Sequence, residues 1–180
     1  MTGSGGATTT IVLMGVAGSG KSTVMAALAG RLGWATAEGD DFHSPENVAR
    51  MRSGRSLTDA DRRPWLQALA AWIGEREAAN GGAGEDAIVT CSALRRSYRD
   101  LLREGHASVW FVHLVAPVAT LDARLSERQG HYMPPALLAS QLETLEALGE
   151  DEPGVVVPAD TALPDIVEAV LSRLAISGHA

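Results

Sequence analysis

One short stretch near the amino terminus limits the folds open to this chain. Gly15-Val16-Ala17-Gly18-Ser19-Gly20-Lys21-Ser22 fits the pattern G-x-x-x-x-G-K-[ST] of a phosphate-binding loop, or P-loop. The residues before it, Thr10-Ile11-Val12-Leu13-Met14, are apolar and β-branched, as in a buried strand. Those after it, Thr23 to Ala29, are helix-forming. A strand, a glycine loop and a helix in that order form a phosphate cradle. Glycines let the backbone come close and aim successive N–H groups inward. The helix N-terminus adds partial positive charge. Lys21, the single lysine of the chain, supplies a full charge for the β- and γ-phosphates, and the Ser22 hydroxyl suits Mg²⁺. Gly15 through Thr23 are therefore the candidate nucleotide contacts.

The remaining pattern alternates. Strands are predicted at 10–14, 34–38, 87–92, 109–115 and 154–158. Helices are predicted at 21–32, 45–53, 61–79, 95–104, 117–129, 134–147 and 163–176. Strands separated by helices pair in parallel through right-handed crossovers, so the class is α/β with a parallel sheet. The runs Val109 to Val115 and Val155 to Val157 are nearly continuous in apolar residues, as expected for strands covered on both faces. The 180 residues suit one domain, 10–176, between a flexible leader, 1–9, and a frayed tail, 177–180.

Composition excludes several classes. The formal charge of −7 argues against a general nucleic-acid binder. No apolar run approaches the roughly 20 residues of a membrane span. The first residues, MTGSGGATTT, lack the basic and apolar regions of a secretion signal. Cys91 is the one cysteine, so no internal disulfide can form, which fits a reducing cytoplasm. At the end of a predicted strand, it reads as packing rather than as a nucleophile.

In open α/β sheets ligands bind beyond the carboxyl ends of the strands. The second strand runs into Glu38-Gly39-Asp40-Asp41-Phe42-His43, with three acids in four positions. Phosphoryl transfer to an alcohol needs a group that orients the hydroxyl and takes its proton, and Asp40 is the candidate. The competing role for Asp40 is a helix cap. Asp41 or Glu38 can serve Mg²⁺ through water. His43 is a candidate substrate contact. Arginines cluster downstream, and planar guanidinium groups pair with carboxylates through two bonds. Pro64 belongs in a first helical turn, so a helix is expected to begin near Asp61, with Asp61 or Thr58 as its cap. Trp65 reads as packing. Thr90-Cys91-Ser92 stands where P-loop proteins often carry a metal-binding Asp. Arg124 and Arg128 lie four apart on one helix face, and Gly130 and Pro134 bracket the next segment. Two readings stay open for this arginine pair: a lid that closes over ATP, or a solvated basic stripe beside Asp122 and Glu127.

Taken together, these motifs resemble the gluconokinase family of ATP-dependent D-gluconate kinases, within the shikimate-kinase-like and nucleoside-monophosphate-kinase-like P-loop group. The resemblance is carried by Met14 to Thr23, Gly39-Asp40-Asp41-Phe42-His43, Asp61-Arg62 with Pro64-Trp65-Leu66, Cys91-Ser92-Ala93-Leu94, Tyr98-Arg99-Asp100, Arg128 with Gly130-His131, and Ser140-Gln141 with Thr144-Leu145-Glu146. Glu38 stands where the family usually has Asp, and Ser56 where Pro is frequent. The resemblance implies a three-layer P-loop kinase fold with a five-stranded parallel sheet in order 2-3-1-4-5. It implies helices on both faces, a substrate-binding segment over 43–66 and a mobile lid over 124–140. The implied reaction is phosphorylation of D-gluconate at O6 by ATP with Mg²⁺. Asp40, Lys21 and Arg128 then carry the catalysis. Arg124 and Arg128 join the P-loop on ATP, and Ser22 and Asp41 serve the metal. Asp40, His43, Arg50, Arg62, Arg63, Arg95, Tyr98 and His131 face the acceptor. A homodimer is the assembly suggested. The alternatives are a kinase for shikimate or another aldonate, and a nucleotide-binding regulator without turnover.

Overall fold

The computed structural model describes residues 8–127 and 135–177. Five strands, β1 (Thr10–Met14), β2 (Ala35–Ala37), β3 (Ala87–Thr90), β4 (Val109–Val115) and β5 (Gly154–Pro158), form one sheet in the order β2-β3-β1-β4-β5. Every pairing is parallel, with Thr10 opposite Ala87 on one side and Val109 on the other. The sheet order and class match the expectation from sequence. β1 is buried at all five positions, as a central strand covered on both faces must be.

The helices are α1 (Lys21–Leu32), α2 (Pro45–Arg52), α3 (Asp59–Glu77), a short turn α4 (Ala79–Gly82), α5 (Arg96–Arg103), α6 (Val118–Glu127), α7 (Pro135–Thr144) and α8 (Leu163–Ile176). One sheet face packs on α1 and α8 through Ile11, Leu13, Trp110, Val112, Leu28, Val167 and Val170. The opposite face packs on α3 and α5 through Val12, Met14, Phe111, Leu66, Leu69, Ile73 and Leu102. Burying each such side chain contributes roughly 1.5–3 kcal/mol. Among the described residues no helix is long and apolar enough to cross a membrane.

Several boundaries differ from the sequence reading by one to three residues, and two of them have a clear cause. α3 begins at Asp59, two residues before the expected start. Thr58 caps it by accepting from the Asp61 N–H, while the Asp61 carboxylate accepts from the Thr58 N–H, a reciprocal box. Pro64 therefore stands in the second turn. α7 ends at Thr144, before the expected 147, because the Glu146 N–H leaves the helix to donate to the Leu94 carbonyl at 2.7 Å.

A buried ion pair ties α5 to two loops, the one after β3 and the one between α7 and β5. Arg99 and Glu152 are both fully enclosed, with Nε to Oε1 at 2.6 Å and Nη2 to Oε2 at 2.9 Å. The other guanidinium N–H groups donate to the carbonyls of Ala93, Glu146 and Ala147, each at 3.1 Å. Every donor of Arg99 is used, which is what a charge in this setting requires.

Candidate active site

The P-loop joins β1 to α1 with the geometry that phosphate needs. Gly15 has φ +138°, and a Cβ there would stand 2.7 Å from the Leu114 carbonyl oxygen, so no other residue fits. Lys21 reaches back over the loop, its Nζ donating to the carbonyls of Gly15 at 2.9 Å and Val16 at 3.0 Å. Ser19 Oγ is buried with no hydrogen-bond partner among the described residues. A buried hydroxyl without a partner costs free energy, so this atom is poised for a ligand oxygen. Arg124, at the end of α6, donates to the Gly18 carbonyl at 3.4 Å and the Ala159 carbonyl at 2.6 Å. Arg124 therefore stands beside the P-loop. Arg128, His131 and the rest of 128–134 in the expected lid lie outside the described residues.

The acidic turn after β2 is a 3₁₀ helix, Gly39–Phe42, whose backbone is gripped from two sides. The Gly39 N–H donates to Thr90 Oγ1 at 3.0 Å, and the Trp65 indole N–H donates to the Gly39 carbonyl at 2.6 Å. A Cβ on Gly39 would stand 1.9 Å from the Thr90 carbonyl oxygen, so the turn is pressed directly on β3. The result is a fixed perch for Asp40, whose side chain is exposed at the carboxyl end of the sheet. Glu38, by contrast, is tied down: its Oε2 accepts from the Thr90 hydroxyl at 2.6 Å.

His43 stacks on Trp65, with ring centroids 4.2 Å apart and planes at 18°. Its Nδ1 is buried without a partner. Burial holds its pKa below the ordinary histidine value, against the pull of Asp40, and Arg62 adds to the lowering. It is neutral at pH 7, with one ring nitrogen available to a polar ligand. Trp65 thus does more than fill space, for it fixes both the Asp40 turn and the His43 ring. The motif gave no sign of those two bonds.

The arginines fall into distinct settings. Arg50 pairs with Asp61 at 3.1 Å, and that carboxylate also serves the α3 cap. Arg62 and Arg95 both converge on Asp59, at 3.8 Å and 2.8 Å. The Tyr98 hydroxyl donates to Asp59 as well and accepts from Arg62 at 3.3 Å. Burial and the Asp59 hydrogen bond push the Tyr98 pKa up, so it stays a donor. Two guanidinium groups share one carboxylate, which leaves the cluster with net positive charge. Arg63 is not part of it. It is exposed beside Ser97, Asp100 and Arg103 on the α3–α5 surface. Arg52, which the sequence did not single out, lines an open cleft with His43, Pro45 and Val48.

Cys91 is packing, as expected: burial pushes its thiol up to about 12, and a thiol that stays protonated is a poor nucleophile. Among the described residues no group of three or more His, Cys, Asp or Glu forms a metal cage. Among the described residues, the oxygen donors at this end of the sheet include the Ser22 hydroxyl and the carboxylates of Asp40 and Asp41. These are hard ligands, few in number, and they fit Mg²⁺ that arrives with phosphate oxygens already bound.

Comparison with known proteins agrees with this geometry. A family model described as an AAA domain matches residues 11–148. A gluconokinase from Gluconobacter oxydans (strain 621H) is 48% identical over 163 residues, covering 91% of this chain and 89% of the relative. The thermoresistant gluconokinase of Escherichia coli (strain K12) is 41% identical, covering 89% of this chain and 90% of that one. A crystal structure of a gluconokinase from Sinorhizobium meliloti 1021 superposes with a TM-score of 0.84 at 42% identity, over 96% of this chain and 94% of that chain.

Proposed function

Since this chain belongs to the gluconokinase family, we propose that it transfers the γ-phosphoryl group of ATP to O6 of D-gluconate, giving ADP and 6-phospho-D-gluconate. The observation that carries the reading is the meeting of three parts at one end of the sheet. These are a phosphate cradle, an exposed carboxylate on a rigid turn, and an arginine cluster with surplus positive charge.

In this reading the P-loop N–H groups and Lys21 hold the β- and γ-phosphates, with the Lys21 ammonium exchanging loop carbonyls for phosphate oxygens. Asp40 orients the terminal hydroxyl of the sugar acid and accepts its proton as the oxygen attacks phosphorus. Positioning and charge neutralisation supply most of the rate, because phosphoryl transfer leaves the protein little covalent chemistry to do. Arg62 and Arg95 are the groups for the substrate carboxylate: among the described ion pairs, they are the arginines that share one acid between two cations. His43 Nδ1 meets a substrate hydroxyl. Arg124, and Arg128 beyond it, neutralise the transferring charge from the lid side. Ser22 and, through water, Asp41 would hold Mg²⁺, whose charge offsets that of the phosphates. Family resemblance supports a cytoplasmic location and a homodimer, and light scattering checks the latter.

The test is ATP- and Mg²⁺-dependent ADP release across D-gluconate, other aldonates, shikimate, glucose and AMP. Turnover with gluconate, with phosphate found on O6, is the expected result. A preference for another acid would overturn the substrate while leaving the transfer chemistry in place. ATP binding without turnover on any acceptor would favour a regulator.

A further inference from the structure

We propose that Gln141 is a positioning residue for phosphoryl transfer, holding the first turn of the P-loop from α7, and that its neighbour Ser140 joins this hold to the acceptor-binding segment. The inference rests on the kinase reading above. Gln141 Oε1 accepts from the Ala17 N–H at 2.7 Å, across 124 residues of chain. Ser140 Oγ lies 3.1 Å from Ser56 Oγ, in the segment that follows α2. Adjacent helical residues point about 100° apart, so one turn of α7 touches both halves of the site. The apolar contacts repeat the link, with Val16 of the P-loop in one buried cluster with Leu94, Leu121 and Leu138.

α7 is well founded for this task. Just past its end the Glu146 N–H donates to the Leu94 carbonyl, and the Glu146 carboxylate accepts from the Arg96 N–H at 2.6 Å. The carbonyls of Glu146 and Ala147 rest on the enclosed guanidinium of Arg99. A glycine-rich loop is permissive, and ordering it around a ligand costs conformational entropy. An acceptor fixed on a rigid helix reduces that cost by holding Ala17 beforehand. The amide suits the place, because a carboxylate could accept the same bond but would repel the phosphates.

The experiment uses the full-length protein with Gln141→Met, Gln141→Glu and Ser140→Ala. It reads kcat, KM for ATP, KM for D-gluconate, binding of a non-hydrolysable ATP analogue with and without gluconate, and thermal stability. Gln141→Met should raise KM for ATP and lower kcat, about five- to tenfold in kcat/KM, as expected for one lost hydrogen bond. Its KM for gluconate should stay within twofold. Gln141→Glu keeps an acceptor for Ala17, so it should recover kcat at saturating ATP while binding ATP more weakly and with steeper salt dependence. Ser140→Ala should bind the analogue alone like the parent, but lose the change in analogue affinity that gluconate produces. Kinetics of Gln141→Met within twofold of the parent would overturn the proposal, as would equal kcat losses in the Met and Glu variants. Activity lost only in proportion to unfolded protein would also overturn it. An unaltered gluconate effect in Ser140→Ala would overturn the second half. Should the parent fail to phosphorylate gluconate, the substrate reading falls, yet analogue binding by Gln141→Met still decides the role of Gln141.

Discussion

The two ends of the sheet are built on opposite terms. At the amino end the polar groups close on one another. Ser108 Oγ donates to Glu77 Oε1 at 2.5 Å, and His106 Nδ1 meets Oε2 of the same carboxylate at 2.6 Å. Thr9 N–H donates to Asp86 at 2.7 Å, and Arg76 pairs with Glu85 at 2.8 Å, with only Arg76 Nε left over. At the carboxyl end the accounts stay open: Ser19 Oγ and His43 Nδ1 are buried without partners, and Ala93 holds a left-handed φ of +44°. Buried polar atoms left unpaired and non-glycine residues in that region both cost stability. The unpaired Ser19 and His43 atoms stand where a ligand can offset their cost, whereas the Glu77 carboxylate is satisfied from within the chain by Ser108 and His106.

That contrast can be broken by mutation. The largest effect should come from Asp40→Asn, with a fall in turnover of about 10³-fold and little change in analogue binding or melting temperature. Steady-state kinetics beside titration of the analogue will show it, and normal turnover would remove Asp40 as the base. Arg99→Met should cost about 3–5 kcal/mol by stranding Glu152 in the interior, read by chemical denaturation. A loss under 1 kcal/mol would mean that the loops do not depend on the pair.

His113 sharpens the comparison through pH. Its ring is buried on β4 just under the site with Nδ1 unpaired. Burial, with Arg99 and Lys21 adding to it, lowers its pKa from 6.5 to about 4. The unfolded chain therefore takes up the proton first. Stability from this group is present above pH 6.5 and is lost as pH falls towards 4, by roughly 3 kcal/mol. The difference in denaturation between the parent and His113→Gln across that window should show this slope. Parallel curves would refute it. The smallest effect is expected at the other end: Glu77→Ala should cost about 1–2 kcal/mol by unpairing Ser108 and His106, with kcat unchanged. A matching fall in kcat would mean that the two ends are not separable.

Much of this was legible in the sequence because it is local. The strands fell within a residue or two of their observed bounds, since Ile11-Val12-Leu13 and Val109 to Val115 are continuous apolar runs that only a doubly covered strand can use. The P-loop and the Gly39-Asp40 turn were legible because each is a short contiguous pattern, although the contacts that require glycine there come from far along the chain, from the Leu114 and Thr90 carbonyls. What escaped detection depends on distance along the chain. The bonds from Trp65 to Gly39, from Gln141 to Ala17 and from Arg99 to Glu152 each join elements that only the sheet order brings together. The arginines show the limit well. Their number and composition pointed to an anion, but whether a guanidinium already has a carboxylate of its own depends on which face of α3 meets α5, so Arg63 separates from Arg62 although they are neighbours.

The position of β1 has a consequence for how the chain is made. The strand that carries the P-loop is synthesised before the other four, yet its partners in the sheet begin at Ala87 and Val109. At about 5–20 residues per second on a ribosome, Ile11 to Met14 wait for seconds with both edges unpaired, even once α1 and α3 have emerged. Assembly of a parallel sheet with such distant partners is slow for the same entropic reason. A nascent chain arrested before Val109 should therefore be a ready client for chaperones and prone to clump, whereas one that has released β4 can close the centre of the sheet and, with it, the cradle.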